Sequence, residues 1–353
     1  MVKKGIIFNV GSSSIKYCLF YDYEKKESGN YEKLHDKKDY QKTLNKILEK
    51  FKKENIDYIA HRVVHGGSID KPIKINKRVE NKIKEYSKFA PLHNPKQLMV
   101  LDVVRKKSNA PQYAVFDTMF YSGIPEVAKT YAIPSKLSKK YNIRRYGFHG
   151  LSHKFVSKDL KGKTITCHLG SGCSISAINK NKALDTSMGM TPLEGLIMRT
   201  RSGSIDPGII LFLQKKGHDI NKILRKDSGF KGISGKDDFR DVLKTMSKNK
   251  KSKLAYDMII YNLSKIIGGY ITVLNGLDNL VFTAAMGENV AKLRKDVCDN
   301  LGFIGVKLDK KSNEKNKEKI SSSDSKVKVY VRKTDEETQI AEELLTSGLL
   351  NKK

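Results

Sequence analysis

The sequence lacks the features that mark secreted and membrane-spanning proteins. Its four cysteines form no C-x-x-C pair and are too few for a disulfide framework in a chain of 353 residues. No run of about eighteen uncharged apolar residues is present. The short apolar run after the N-terminal lysines is interrupted by polar residues before it could form the core of a signal peptide. We therefore expect a cytoplasmic protein with reduced, buried thiols.

Arginine is scarce although the chain is strongly basic. Only 11 of the 68 basic residues are Arg, and the formal net charge is +30. The lysines are scattered, in runs such as Lys139-Lys140 and Lys215-Lys216, with few aromatic residues among them. Nucleic-acid sites usually combine Arg with stacking aromatics. We expect a solvated Lys-rich surface that attracts small anions, with no specific nucleic acid and no membrane as partner. A basic nucleic-acid-binding protein remains the alternative.

The chain is long enough for two domains, and a faint internal repeat supports that division. A strand-turn-strand pattern with a Gly/Ser turn at Gly11 recurs about 160 residues later with a turn at Gly170. We expect two related α/β domains that each open with a hairpin, although two Gly/Ser turns can also match by chance. Further helices are expected at Tyr40–Lys53, Ile83–Lys88, Lys253–Leu274 and Glu336–Leu350, further strands at Ile59–Val64, Tyr113–Phe116 and Leu280–Ala284, and an exposed charged connection at Asp309–Lys319.

Several segments concentrate polar chemistry beside small residues. Gly/Ser hairpin turns present backbone N–H groups in the way that proteins bind phosphates, and Lys16 follows the first turn. Phe282–Asn289 is predicted to be a strand that runs into a small-residue turn, which suits close contact with a nucleotide. The pairs His61/His65 and His149/His153 have the spacing of a helical zinc site. Neither has the H-E-x-x-H form or an unbroken helical context, so we expect no zinc.

Ten segments occur in the order found in the acetate kinase family: NVGSSSIK, HRVVHGGS, APLHNP, VFDTMF, RRYGFHG, CHLGSG, DTSMGMTPLEGL, RSGSIDPG, FTAAMGEN and TDEE. The chain thus resembles this acetate, propionate and butyrate kinase family from Gly5 to about Ala341, with Asp22 to Lys53 shortened. The family belongs to the actin and sugar-kinase superfamily. The resemblance implies a duplicated two-domain α/β fold with an ATP cleft between the domains, and a homodimer. Residues 1–148 plus 336–353 would form the substrate and magnesium domain, and 149–335 the nucleotide-binding domain.

The resemblance also implies roles for individual residues. Asn9 and Glu336 would hold Mg²⁺, with Mn²⁺ as an alternative ion. Arg62 would bind the acetate carboxylate, and the methyl group would lie among Val64, Leu92, Phe148 and Pro192. The residues implied in catalysis are Asp117, His149 and Arg201. Those implied in ATP binding are Lys16, His168, Leu169, Gly170, Ser171, Gly172, Asp238, Phe239, Arg240, Ala285, Met286, Gly287, Glu288 and Asn289.

These roles agree with the physics of phosphoryl transfer, which needs positioning and charge neutralisation more than covalent chemistry. Arg201 and His149 would stabilise the transferring group, and Arg62 would hold a carboxylate with its planar fork. A carboxylic acid has a pKa of roughly 4 to 5 and is already ionised at neutral pH. Asp117 therefore has no proton to remove from the acceptor, and it could equally orient an arginine or metal-bound water.

Three residues depart from the family pattern. The family usually has Asn at Ser171 and Gly at both Arg199 and Ala285. If position 285 needs a positive φ, Ala285 is strained and its methyl group crowds the nucleoside. The resemblance as a whole still implies acetate kinase activity. The alternatives are a propionate or butyrate kinase and a catalytically impaired nucleotide-binding homologue.

Overall fold

The computed structural model describes residues 2–11 and 13–351, and the chain divides into two compact α/β units. Unit 1 consists of Met1–Ser122, Phe148–Phe155 and Asp335–Lys353, and unit 2 of Gly123–Gly147 and Val156–Thr334. Ser12, in the first predicted Gly/Ser turn, lies outside the described residues. The α/β class expected from the sequence is confirmed.

Unit 1 is built on a six-stranded sheet. Its elements are β1 (Lys4–Val10), β2 (Ser14–Tyr21), β3 (Glu24–Glu32), α1 (Lys37–Lys50), β4 (Tyr58–Val63), β5 (Ile73–Lys74), α2 (Lys77–Tyr86), α3 (Asn94–Arg105), β6 (Gln112–Phe116), a 3-10 helix (Asp117–Tyr121), and, after the unit 2 elements in chain order, the C-terminal helix α15 (Glu336–Thr346) with a final 3-10 turn (Leu349–Asn351).

Unit 2 is built on a five-stranded sheet. Its elements are α4 (Glu126–Lys129), α5 (Ser135–Tyr141), β7 (Lys163–Leu169), β8 (Cys173–Asn179), β9 (Lys182–Thr186), α7 (Pro207–Lys215), α8 (Ile220–Lys222), a π turn (Ile223–Asp227), α9 (Gly229–Ser234), α10 (Phe239–Thr245), α11 (Lys250–Leu274), β10 (Asn279–Thr283), α12 (Ala284–Asn289), α13 (Ala291–Asp299), a 3-10 turn (Gly302–Ile304), α14 (Lys310–Glu314) and β11 (Lys328–Val331). Helix α6 (Gly150–Ser157) begins in unit 1 and ends in unit 2.

The two sheets repeat one topology. The strand order is β3-β2-β1-β4-β6-β5 in unit 1 and β11-β10-β7-β8-β9 in unit 2. In unit 1 an antiparallel meander of β1, β2 and β3 is followed by β4, parallel to β1, and by β6, parallel to β4. In unit 2 the meander of β7, β8 and β9 is followed in the same way by β10 and β11. The repeat predicted from the two Gly/Ser turns is confirmed.

The first strand of unit 1 is buried on both faces, as expected for a strand with helices on either side. Ile6, Phe8 and Val10 join the core that includes residues of α1 and α3. Ile7 belongs to the opposite core, which includes Ile340 of the C-terminal helix. This helix therefore completes the hydrophobic core of a unit whose first strand lies at the other end of the chain.

Most predicted elements are present, and two predictions were partly wrong. Helix α2 begins at Lys77, not Ile83, because the Asn76 side chain accepts a hydrogen bond from the amide of Val79 and caps its first turn. The predicted exposed connection at Asp309–Lys319 contains α14, and Asn313 within it is buried against Arg294. Charge density alone therefore misled the prediction for this segment.

The expectation of buried thiols is confirmed: the structure places all four cysteines in the interior, without a disulfide among the residues it describes. Burial raises the pKa of Cys18 and of Cys173 to about 12, so these side chains stay protonated at neutral pH. Within residues 2–11 and 13–351, no helix combines the length and the apolar character needed to cross a bilayer.

Candidate active site

Three predicted site residues of unit 1 meet at one edge of its sheet. Strands β1, β4 and β6 are neighbours and run parallel, so their carboxyl ends lie at the same edge. Asn9 is the penultimate residue of β1, Arg62 the penultimate residue of β4, and Asp117 directly follows β6. The carboxyl edge of parallel strands is where α/β proteins place their ligands. Lys16 pairs with Asn9 in the β1/β2 register and is exposed.

The guanidinium of Arg62 is held by three of its neighbours. Its Nε and Nη2 donate to the two carboxylate oxygens of Asp117 at 2.8 and 2.7 Å. Its Nη1 donates to Asn9 Oδ1 at 3.1 Å and to the carboxylate of Glu336. Burial alone would lower the pKa of Arg62, but Asp117 and Glu336 more than offset this and raise it. The side chain is therefore charged and fixed in orientation.

This geometry bears on two expectations. The resemblance implies that Arg62 holds a substrate carboxylate with its planar fork, and Asp117 was also expected as a residue that could orient an arginine; in the structure the Nε and Nη2 side of the fork is paired with Asp117. A guanidinium has five N–H donors, and four of them have partners here. Among residues 2–11 and 13–351, the second N–H of Nη2 has no hydrogen-bond partner.

A pair of glutamates stands beside this arginine at the start of α15. Asn9 Nδ2 donates to Glu336 Oε2 at 2.9 Å and to Glu337 Oε1 at 2.6 Å. Burial, with the nearby carboxylates of Asp117 and Glu337, raises the pKa of Glu336 despite the opposing effect of Arg62. The site thus holds more negative charge than its one arginine neutralises.

The donor set fits a hard cation such as Mg²⁺. Carboxylate and amide oxygens are the ligands that Mg²⁺ prefers, and it commonly keeps several waters and uses only one or two carboxylates. Among the described residues, no three His, Cys, Asp or Glu side chains come close enough to form a metal site on their own. Such a sparse set suits an ion that also binds substrate phosphates, and it does not suit a structural zinc.

His149 lies next to Asp117 and has an unusual backbone. Its φ is 57°, a left-handed conformation that non-glycine residues rarely adopt and that is often found at functional sites. Gly150 follows it and begins α6; a Cβ there would lie 2.0 Å from the carbonyl oxygen of Asp117. Only glycine permits this approach, so the pair His149-Gly150 brings the histidine to the end of β6.

The predicted acceptor residues of unit 1 differ in exposure. Val64 follows β4 directly and Phe148 precedes His149, and both are buried, at 6% and 1% exposure. Leu92 is 42% exposed and lies two residues before α3. Pro192 belongs to unit 2, where its carbonyl accepts a hydrogen bond from Arg201 Nη1 at 2.6 Å.

Arg201 differs from Arg62 in having no counter-charge. Its hydrogen bond goes to the neutral Pro192 carbonyl, and no carboxylate of the described chain forms an ion pair with it. Burial, with a smaller contribution from Arg225, lowers the pKa of Arg201 to about 10. It remains charged at neutral pH and is available to a bound anion.

Two loops predicted to contact ATP meet at the carboxyl edge of the unit 2 sheet. His168 and Thr283 are register partners at the ends of the parallel strands β7 and β10. The turn Gly170–Gly172 closes with a hydrogen bond from the Gly170 amide to the Gly172 carbonyl at 3.0 Å. A Cβ at Gly170 would lie 3.8 Å from the Cβ of Ala284. The predicted segments 168–172 and 285–289 are thus adjacent.

The left-handed residue of the second loop is Ala284, with a φ of 62°. Its amide donates to Glu288 Oε1 at 2.9 Å, and Asn289 Nδ2 donates to the Ala285 carbonyl at 2.9 Å. Ala285 is exposed in the first turn of α12 and does not have a positive φ, so the condition under which it would be strained is not met. Met286 is buried, and a Cβ at Gly287 would lie 3.3 Å from the Phe282 backbone.

The third predicted ATP segment lies at the start of α10. Asp238 is the N-cap of this helix and accepts from the amide and the side chain of Arg240 at the surface. The ring of Phe239 is buried against α11, stacked on Tyr256 at 6.3 Å between centroids.

The remaining departures from the family pattern have ordinary environments. Ser171 is exposed at the tip of the β7/β8 turn. Arg199 is exposed, and its Nε lies 3.8 Å from a carboxylate oxygen of Asp237. Sequence reasoning missed three residues of these sites: Glu337, Gly150 and Ala284. The TDEE segment contained a signal for Glu337, whereas the roles of Gly150 and Ala284 depend on backbone conformation.

Comparison with solved structures defines the class of protein. The fold matches the crystal structure of Porphyromonas gingivalis acetate kinase with a TM-score of 0.87 and 36% identity, covering 98% of this chain and 99% of the other. It matches a propionate kinase from Francisella tularensis with a TM-score of 0.88 and 36% identity, covering 97% and 98%. The chain thus has the fold of the short-chain carboxylate kinases.

Sequence comparison is more specific. The family model described as "Acetokinase family" matches residues 22–342. The acetate kinase of Carboxydothermus hydrogenoformans is 41% identical over 392 aligned positions, covering 97% of this chain and 98% of the relative. The acetate kinase of Phocaeicola vulgatus is 42% identical over 400 positions, covering 99% and 100%. This protein belongs to the acetokinase family, as its ten ordered segments predicted.

Proposed function

We propose that this protein is a cytoplasmic, Mg²⁺-dependent acetate kinase that transfers the γ-phosphoryl group of ATP reversibly to acetate, giving acetyl phosphate and ADP. The observation that carries the proposal is the charge arrangement at the edge of the unit 1 sheet. There Arg62, two glutamates and Asn9 combine one fixed cation with oxygen ligands for a metal. Family membership supports the same reaction.

Unit 1 would bind the acceptor. The remaining N–H of Arg62 Nη2 would donate to the acetate carboxylate, and Val64, Leu92 and Phe148 would surround the methyl group. Asp117 would orient Arg62, since both of its oxygens accept from that guanidinium and acetate brings no proton to remove. His149 would donate a hydrogen bond to the transferring phosphoryl group.

Unit 2 would bind the nucleotide. The turn 168–172 presents backbone N–H groups to the phosphates, and 285–289 with 238–240 would hold the nucleoside. Arg201 would stabilise the transferring group, because it is a charged side chain without a carboxylate partner. Lys16 of unit 1 would contact a phosphate oxygen. Asn9 and Glu336 would hold Mg²⁺, which when bound neutralises phosphate charge.

The direct test is to trap acetyl phosphate with hydroxylamine in the presence of ATP, Mg²⁺ and acetate. We expect a hydroxamate product that requires all three. Arg78→Ala removes an exposed arginine of unit 1 and serves as the matched control for Arg62→Ala, which should lose most of its activity at low acetate. No product above a heat-killed control would reject the proposal.

Propionate kinase is the second candidate, favoured by the similarity to the Francisella tularensis structure. An acceptor site lined by the buried Val64 and Phe148 would be small, which would favour acetate over butyrate and leave propionate as the alternative. The same assay with propionate and butyrate ranks the acceptors by kcat/KM. A higher kcat/KM for propionate than for acetate would reassign the substrate within the family.

A homodimer is supported by apolar helix faces in unit 2. Helix α7, PGIILFLQK, has no buried residue, and its Leu211 and Phe212 are 67% and 58% exposed. Contiguous exposed apolar surface of this kind marks protein–protein contacts. Sedimentation velocity should give a dimer for the wild type and a monomer for Phe212→Glu. Val127→Glu, at an isolated exposed valine of unit 2, should stay dimeric.

A further inference from the structure

Four successive backbone amides after strand β4 donate to side chains, not to a neighbouring strand. β4 ends at Val63, and we call residues 64–67 the post-β4 segment. The amide of Val64 donates to Gln97 Oε1 at 3.1 Å, that of His65 to Asn94 Oδ1 at 3.1 Å, that of Gly66 to Thr118 Oγ1 at 3.3 Å, and that of Gly67 to His65 Nδ1 at 3.1 Å. Side chains therefore set the conformation of this segment.

Two of these side chains come from the first turn of α3. Asn94 also donates to the carbonyls of His65 and Ile83, at 3.0 and 3.2 Å. Gln97 also donates to the Val10 carbonyl at 3.3 Å, so it joins the post-β4 segment to the residue after Asn9. Asn94 is 0% exposed and Gln97 is 2% exposed. We call this pair the amide clamp.

The clamp fixes residues predicted to surround the acceptor. It holds the backbone of Val64 directly. It holds the backbone of His65, whose ring stacks on Tyr86 at 4.7 Å and meets the ring of Phe148 edge-on at 5.3 Å between centroids. Two walls of the acceptor pocket thus depend on the position of one helix turn.

We propose that Asn94 and Gln97 are positioning residues that set the size of the acceptor pocket and so its selectivity between acetate and longer acids. This inference rests on the proposed function. The physical reason is that a buried amide pairing with both an N–H and a C=O group fixes a backbone more tightly than apolar packing does, because any shift leaves a polar group unpaired. Displacements of about 1 Å are enough to alter how a reacting group is held.

The test is the ratio of kcat/KM for propionate to kcat/KM for acetate in Gln97→Leu. Leucine removes both hydrogen bonds and keeps a side chain of similar bulk. We expect the ratio to rise roughly tenfold, since one methylene group is worth about that much in an apolar pocket. We also expect the KM for acetate to rise while the KM for ATP changes less than about twofold. The Gln97→Glu side chain can still accept a hydrogen bond from the Val64 amide. Its ratio should therefore lie between that of the wild type and that of Gln97→Leu.

Gln112→Leu is the matched control. Gln112 is also a buried glutamine of unit 1 and bonds the His61 side chain at 2.8 Å. Replacing Gln112 by leucine should lower the free energy of unfolding without changing the ratio of kcat/KM for propionate to kcat/KM for acetate. If Gln97→Leu does not fold, Gln97→Glu carries the measurement of the ratio.

The outcomes separate this inference from the proposed function. A wild-type protein that makes no acetyl phosphate rejects the function itself. An active wild type with an unchanged ratio in Gln97→Leu, or in Gln97→Glu where the leucine variant is unfolded, overturns the inference alone. An equal rise in Gln112→Leu also overturns it, because the effect would then follow general destabilisation.

Discussion

Two arginines predicted to act in the active site, Arg62 of unit 1 and Arg201 of unit 2, have opposite surroundings. Arg62 of unit 1 is neutralised by Asp117 and Glu336, and these carboxylates raise its pKa. Arg201 of unit 2 bonds a neutral carbonyl, and burial lowers its pKa to about 10. Arg62 thus has its counter-charges within unit 1, whereas no carboxylate of the described residues pairs with Arg201, and under the proposed function a ligand would supply that counter-charge. The two units therefore share a sheet topology but differ in the charges that surround these arginines.

The largest expected effect tests the arginine of unit 2. Arg201→Ala should lower kcat on the order of 10³-fold, because its charge is needed mainly when phosphoryl charge develops in the transition state. The KM for acetate should change little. The hydroxamate assay under saturating ATP measures both, and Arg199→Ala, at an exposed arginine of the same segment, should retain near wild-type activity. A defect limited to ATP affinity would contradict this role.

The same two arginines should affect stability in opposite directions. Arg62→Ala leaves two buried carboxylates without their cation, which should cost about 3 kcal/mol of unfolding free energy. Arg201→Ala removes a cation that has no counter-charge, so the free energy of unfolding should stay level or rise. Urea unfolding of both variants measures the difference. If both variants lost the same free energy of unfolding, the inferred difference in the electrostatic environments of the two arginines would be wrong.

Acid should weaken unit 1 through His61. Burial lowers the pKa of His61 to about 3, and the residue bonds Gln112. Below about pH 6.5 the unfolded chain binds a proton that the folded protein excludes, so the free energy of unfolding should fall by about 1.4 kcal/mol for each pH unit. His61→Gln should flatten this fall between pH 6 and 4.5. His218→Gln, at an exposed histidine of unit 2, should leave the pH dependence as in the wild type.

The smallest expected effect concerns the strand-to-helix turn of unit 2. Ala284→Gly relieves a left-handed alanine and should raise the free energy of unfolding by up to about 1 kcal/mol. Ala285→Gly should instead lower it by a similar amount, because that residue is helical. Thermal unfolding compares the pair. Stabilisation by Ala285→Gly would contradict the backbone assignment.

The sequence predicted the fold class, the repeated hairpins and the family because each depends on local pattern. Short runs rich in β-forming apolar residues identify β1 and β2, and ordered motifs identify the relatives. It did not predict that Asp117 would occupy the Nε/Nη2 fork of Arg62, because that pairing joins residues 55 positions apart. The sequence raised the question of a positive φ at Ala285 but did not identify Ala284, which has it, because φ depends on how the strand meets the helix.

The amide clamp shows a second limit of sequence reasoning. Asn94 lies within the segment APLHNP, but the motif does not indicate what its side chain bonds. That side chain pairs with both the amide and the carbonyl of His65, as a neighbouring β-strand would. Gln97 lies outside the ten segments altogether. Both amide side chains are buried, although they lie in the first turn of helix α3.

Unit 1 cannot be completed until the ribosome has made nearly the whole chain. Its first strand is synthesised at the start, but α15, which packs against β1 and carries Glu336, comes after every residue of unit 2. Until then the face of the sheet that includes Ile7 lacks Ile340 and Leu344 and is exposed to chaperones or to aggregation. Unit 2, which is contiguous except for one short insertion, can fold during synthesis. Translation therefore finishes unit 2 before unit 1.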